Sequence, residues 1–296
     1  MSASTPTPDT GPVANPSGGM PPEHVMLAID GGPAGVAAVH WLADRSARRP
    51  LEVEIVDVVE PAAQLGADPG VPERAAGRAT EEAKTLLERL SPGIVIGSTV
   101  LEGEPVPTLR HAARAADLLV VGTNRTTRRG LHLAPSFATR LASGALCPTV
   151  VVRRGWEPST GPVVVGVAGD GSEDDAVPWA AREAAALGRD LVLVHAWHPA
   201  GGRVPSGERD PQAPAAKAAL QAVADRLRLS HPDLRIVPVL TTAPPIRSLE
   251  RAGRGAALVV VGSRGLDAVD RVLTRSVSRA ALGRLDCPVA VVPQGG

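Results

Sequence analysis

The sequence predicts an α/β protein built from one domain duplicated in tandem, and three observations carry that expectation. Apolar runs such as "VVVGV", "LVLVHAW", "ALVVVG" and "PVAVV" are nearly continuous rather than alternating, as in parallel strands buried on both faces. Amphipathic stretches of helical length separate these runs. The chain also repeats itself: "VMLAIDGGPAGVAAVHWLA" (25–43) resembles "VVVGVAGDGSEDDAVPWAA" (163–181), "ADLLVVGTNR" resembles "AALVVVGSRG", and "LCPTVVV" resembles "DCPVAVV". Gly122 to Gly262 and Cys147 to Cys287 are each 140 positions, whereas Trp41 to Trp179 is 138. A two-residue length change is therefore expected near the start of the repeats.

In the second repeat the pattern predicts a strand at "VVVGV", a helix over 174–187, a strand at "LVLVHAW" and a helix over 213–229. A strand at "RIVPVL", a short helix over 246–252 and a strand at "ALVVVG" follow. A loop rich in Gly, Ser and Arg, a helix near 273–285 and a strand at "PVAVV" complete it, and the first repeat keeps the same order. Strict alternation gives each repeat a five-stranded parallel sheet flanked by helices. The domains are expected at 23–155 and 161–294, joined by the short polar seam "RRGWEPSTGP". Residues 1–22, rich in Pro, Ser, Thr and Gly, lack the charged start and apolar centre of a signal peptide and read as a disordered tail.

Composition narrows the function. Lys+Arg and Asp+Glu both number 31 in 296 residues, so no global field recruits nucleic acid or an acidic membrane, and any anion site must be local. No apolar run approaches the ~20 residues of a spanning helix. Aromatics are 2%, so the cores must be aliphatic. Cys147 and Cys287 cannot form a disulfide framework or a zinc site; both read as small core residues where strands begin, in a cytoplasmic setting. The seven His residues show no metal spacing, and neither HExxH nor GxSxG occurs. His195 reads as a packed strand-end residue, and Glu173–Asp175 as acids favoured at a helix start. The remaining acids alternate with Arg along helices, as solvated faces do. No nucleophile–base pair stands out, which points away from an enzyme.

The loop Gly262-Ser263-Arg264-Gly265 has two readings. Its glycines let backbone approach an anion, with Ser276 and the N–H of Val277 as donors at the next helix start, or they only supply turn conformations. No P-loop GxxxxGK[ST] and no GxGxxG fingerprint is present. The set "VVVGVxG…S", a Trp-Ala in the first helix, "LVLVHAW" and "LVVVGSRG…SVSRAAL…CPVAVV" resembles the universal stress protein family, over 24–155 and 161–293, in the tandem form common in actinobacteria. That resemblance implies two Rossmann-like (HUP-type) domains. Nucleotide-binding members hold ATP with a G-x2-G-x9-G-[ST] loop, an Asp at the end of the first strand and a residue after the second strand that packs on adenine.

Carried over by position, Gly262, Gly265 and Ser276 match the loop in the second repeat, while Arg275 stands at the third glycine. The strand-end acid is Ala168 when counted from Trp179 and Asp170 when counted by the 140-residue offset. Ala196 takes the adenine place. In the first repeat Asp30, Val58 and Gly122 match, but Arg125 replaces the second glycine and Pro135-Ser136 stands where Gly-[ST] is expected. Arg125, Arg128 and Arg129 have two readings, an anion patch or, as charge in such a loop more often is, solvated surface. The second repeat is thus the better candidate site.

Each last strand, "TVVV" and "AVV", would leave a hydrophobic edge that needs cover. In the family two such domains pair through it, so the chain is expected to form a pseudo-symmetric pair of its own domains; further homodimerisation stays open. The resemblance implies a stress-response protein holding ATP as a regulatory ligand, with Mg entering only with the nucleotide, and an unidentified signalling partner. The alternatives are an interaction module without ligand and, less favoured, slow ATP hydrolysis.

Overall fold

Every apolar run named above becomes a strand. The first repeat supplies β1 (Glu23–Ala28), β2 (Leu51–Val59), β3 (Val95–Glu102), β4 (Leu118–Thr123) and β5 (Thr149–Arg153). The second supplies β6 (Val163–Gly166), β7 (Leu191–Ala196), β8 (Ile236–Thr241), β9 (Leu258–Gly262) and β10 (Val289–Val292). A computed structural model of the chain describes residues 21–61, 71–124, 136–168, 175–197, 213–263 and 277–294. Among the described residues the α-helices are α1 (Pro33–Ser46), α2 (Val71–Leu90), α3 (Pro105–Ala112), α4 (Phe137–Ala142), α5 (Ala176–Leu187), α6 (Ala213–Ser230), α7 (Pro245–Ala252) and α8 (Val277–Arg284). Met1–Met20 of the expected tail lies outside the described residues.

The strands form one ten-stranded sheet in the order β3-β2-β1-β4-β5-β10-β9-β6-β7-β8. Within each repeat all pairings are parallel, and the two halves meet through an antiparallel β5–β10 pair. The hydrophobic last strands thus cover each other, as their sequence required. Val289 faces Val151, Ala290 faces Val150 and Val291 faces Thr149. Since Val150 and Ala290 are equivalent positions of the repeats, the register is centred on a pseudo-twofold axis, the arrangement of a self-complementary dimer interface. The outer edges are β3 and β8. In β8, Pro238 opposite Leu193 withholds a ladder N–H, which suits an edge strand.

Helices cover both faces. The core that contains Trp41 and Trp179 joins α1, α2, α5 and α6 to one face and runs unbroken across both repeats. The other core, with Cys147 and Cys287, lies under α3, α4, α7 and α8. Each fully buried Val or Leu of the central strands contributes about 1.5–3 kcal/mol. Both thiols are free and buried, and burial pushes each up to about 11. Helix α1 starts with Pro33 in its first turn and buries Ala34, Ala37, Ala38, Trp41, Leu42 and Arg45 along one stripe. Its alanines bring the helix axis close to the sheet.

Two expectations are corrected. The ladders put Val25 opposite Val53 and Val163 opposite Leu191, so the first two strands of each repeat keep the 138-residue offset. Glu54 lies opposite Gly97 and Val192 opposite Val237, so the offset is 140 from the third strand onward. The length change therefore falls between the second and third strands, not near the start. Buried central strands cannot slip without losing both ladders, whereas the connection between them tolerates insertion. The acids and arginines of the helices are also not all solvated. Arg45 of α1 and Glu183 of α5 are only 6% and 3% exposed.

Candidate functional site at the carboxyl edge of the sheet

In each repeat the strand order reverses between the first and fourth strands, β1/β4 and β6/β9. That is the switch point at which open α/β sheets leave a crevice.

In the first repeat Ala28 lies opposite both Val56 of β2 and Val121 of β4, and the Ile29 N–H still donates to the Val56 carbonyl. Asp30 and Val58 lie two residues past this last paired row and Gly122 one residue past it, so all three fall at the carboxyl end of the strands. The chain then turns sharply through Gly31, whose φ of 69° favours glycine. Asp30 Oδ1 accepts the Gly32 N–H at 2.9 Å, and α1 begins one residue later. Val58 is half-buried and packs on the core below. The structure thus places Asp30, Val58 and Gly122 at one end of three adjacent strands.

Gly122 has a second duty. A Cβ there would collide with the Ala34 carbonyl and the Gly35 nitrogen at the start of α1. The glycine is needed so that helix and strand can approach, whatever else the loop does. Ser136 is similarly occupied: its Oγ accepts the Thr139 N–H at 3.1 Å as the cap of α4. Arg125 and Pro135 lie outside the described residues.

Asp57 is a buried acid at the same sheet edge that the sequence reading passed over. It lies on β2 between Val56 and Val58, is 9% exposed, and its Oδ1 accepts the Val58 N–H at 2.8 Å. Burial, with the neighbouring Asp30 charge adding to it, pushes its carboxyl above the ordinary value. The only prior signal was an acid inside the apolar run "IVDVV". By strand register its counterpart in the second repeat is His195. That ring is buried, and its Nδ1 lies 2.9 Å from the Val167 carbonyl, so this nitrogen carries the proton. His195 is a packed strand-end residue, as its sequence context suggested.

In the second repeat Gly166 pairs with Val194 and Val165 with Val260. Ala168 therefore occupies the position of Asp30, Ala196 that of Val58, and Gly262 that of Gly122. Asp170, Gly265, Ser276 and Arg275 lie outside the described residues. Val277 opens α8. Ser278 Oγ donates to the Gly262 carbonyl at 2.7 Å, so the chain leaves β9 and enters α8 at one point of the edge. A separate cavity of about 570 Å³ lies on the β1–β3 face beside α3 and contains none of these residues. Among the described residues no group of three or more His, Cys, Asp or Glu is placed to hold a metal, and no helix is long and apolar enough to cross a membrane.

The paired parallel sheets, each with its switch point between first and fourth strands, define a tandem Rossmann-like α/β protein. A model of the Universal stress protein family matches residues 22–153 and again 160–293, and the chain belongs to that family. A universal stress protein of Mycolicibacterium smegmatis is 33% identical over 282 residues, covering 90% of this chain and 96% of the relative. One from Mycobacterium tuberculosis (strain H37Rv) is 29% identical over 284 residues, covering 90% and 95%. Among solved structures, a universal stress protein from Archaeoglobus fulgidus matches with a TM-score of 0.71 at 16% identity, over 92% of this chain and 98% of that one. This last likeness is one of fold.

Proposed function

We propose that the protein is a cytoplasmic stress-response protein that binds an adenine nucleotide, ATP foremost, as a regulatory ligand in its second repeat and reports occupancy to a protein partner. The observation that carries the reading is the Ser278–Gly262 bond. It holds the end of β9 at Gly262 against the first turn of α8, between which the Gly262-Ser263-Arg264-Gly265…Ser276 stretch lies in sequence. A helix start of this kind favours phosphate. Gly262, Gly265, Ser276 and the Val277 N–H would hold phosphates, with Arg275 adding a charged contact. Ala196 would pack on adenine. Ala168 carries no acid, so Asp170 two residues on would supply it. Any Mg would enter with the nucleotide.

One observation favours an interaction role for the first repeat. Its loop-matching residues are already employed, Gly122 in close packing against α1 and Ser136 in capping α4. Asp30, Val58 and Gly122 would then mark an altered site. The test is to denature the purified protein, assay for released adenine nucleotide, and titrate the emptied protein with ATP by calorimetry. Nucleotide bound at one site per chain supports the reading. No release and no ATP heat sinks it in favour of the interaction module, and sustained ADP production would make the protein an enzyme.

A further inference from the structure

Pairing about a twofold axis makes each residue near the axis face its own counterpart. In this chain Val150 faces Ala290 in that way, and so does one ionisable position. Arg45 and Glu183 are 138 residues apart, the offset of their helices, and they are bonded to each other across the axis. Arg45 Nη1 donates to Glu183 Oε2 at 2.5 Å and Nη2 to Oε1 at 2.9 Å. Arg45 also grips Glu23 of β1 at 2.7 and 2.8 Å. Arg49 stands 3.3 Å from Glu183 and 3.4 Å from Glu23. The cluster balances two cations against two carboxylates.

The second repeat copies none of the first repeat's three charges and carries the opposite sign at the position of Arg45. By the same offset Glu23 corresponds to Gly161 and Arg49 to Leu187. Two first repeats placed face to face would therefore crowd four guanidiniums against two carboxylates. Two second repeats would bury two copies of Glu183 against each other, with only Arg182 and Arg189 at the less buried rim as nearby cations. Buried charge without an opposite partner is strongly unfavourable, and discrimination arises from such repulsion as much as from attraction. The crevice around the cluster, about 30 Å³, has room for little more than a water, so the buried Arg45 meets Glu183 and Glu23 directly.

We propose that Arg45 and Glu183 are the specificity determinant of the interface: they make each repeat accept the other kind and refuse a second copy of itself. The short linker supplies a high effective concentration for closure within one chain. Together these two features keep the protein from cross-pairing with its own copies through like repeats, although β5 and β10 alone would tolerate that pairing.

The test uses full-length chains in a Glu23→Gln background, because Glu23 would otherwise oppose a carboxylate placed at position 45. Arg45→Glu and Glu183→Arg are made singly and together. Each single variant should lose its compact monomer in sedimentation. The two singles co-refolded in equal amounts should exchange repeats and give a one-to-one two-chain complex as the main species by native mass spectrometry. The double reversal within one chain should return to a compact monomer melting near the background protein. If the singles do not fold alone, the double reversal and the mixture decide. Singles that stay compact monomers as stable as the double reversal overturn the proposal, as does a mixture that yields no two-chain complex or a double reversal no more stable than the singles.

Discussion

Arg45 and Glu183 stand at the same position of two repeats and share a bidentate bond with both side chains buried, 6% and 3% exposed. Two identical halves cannot produce this pair. It marks a position at which the two halves differ in sign of charge, and its energetics follow from its burial.

Burial alone would raise the Glu183 carboxyl, but Arg45 first and Arg49 next outweigh it, so the folded group titrates below its ordinary value of 4.5. Stability from this group is therefore complete above about pH 4.5 and is lost as pH falls through the lower folded value. Glu183→Ala should cost about 3 kcal/mol at pH 7, the low end for one partner of a buried pair, because Glu23 still holds Arg45. Urea unfolding at pH 7 and at pH 3 checks this: the penalty should shrink at the lower pH.

Gly122→Ala should destabilise the protein by about 1–3 kcal/mol, as overpacking does, since its Cβ would displace the start of α1. The loss should appear in thermal melts of nucleotide-free protein. A variant that melts like the parent would leave the glycine without its packing duty.

Gly265→Arg copies into the second repeat what the first carries at Arg125. If this loop holds the phosphates, ATP affinity should fall at least tenfold, about 1.4 kcal/mol, with the ligand-free melt little changed. Asp30→Ala should matter less. Calorimetry in which Asp30→Ala abolishes binding and Gly265→Arg does not would move the site to the first repeat.

Asp57 gives the opposite pH signature to Glu183. Its folded carboxyl is raised, chiefly by burial, so its ionised form weakens the fold at neutral pH and the penalty is relieved as pH falls. Asp57→Asn should raise the melting midpoint at pH 7, and the gain over the parent should vanish in acid. An unchanged midpoint at pH 7 would count against it.

The strands and their parallel pairing within each repeat were legible because continuous Val/Leu runs have only one comfortable setting, the middle of a sheet with helices on both faces; that β5 and β10 cover each other was implied by the family resemblance. The helix expected over 213–229 ends at Ser230, and the one over 246–252 begins at Pro245. Charge was harder to read. Arg45 and Glu183 look like any acid and arginine on amphipathic helices, and nothing local distinguishes them from solvated pairs. Asp57 was hidden by its valine neighbours. Gly122 looked like loop chemistry, although its closest neighbours are the backbone of α1.

The sequence by itself determined the duplication, the fold of each half and which strand needed a partner, because hydrophobic pattern and repeat spacing act locally along the chain. Only the tertiary structure decided that the length change falls after the second strand, that Ala168 stands where Asp30 does, and that one arginine and one glutamate meet at the pseudo-twofold axis. Register and burial of charge depend on what the other half of the molecule places opposite, and that partner is 138 residues away for Arg45 and Glu183.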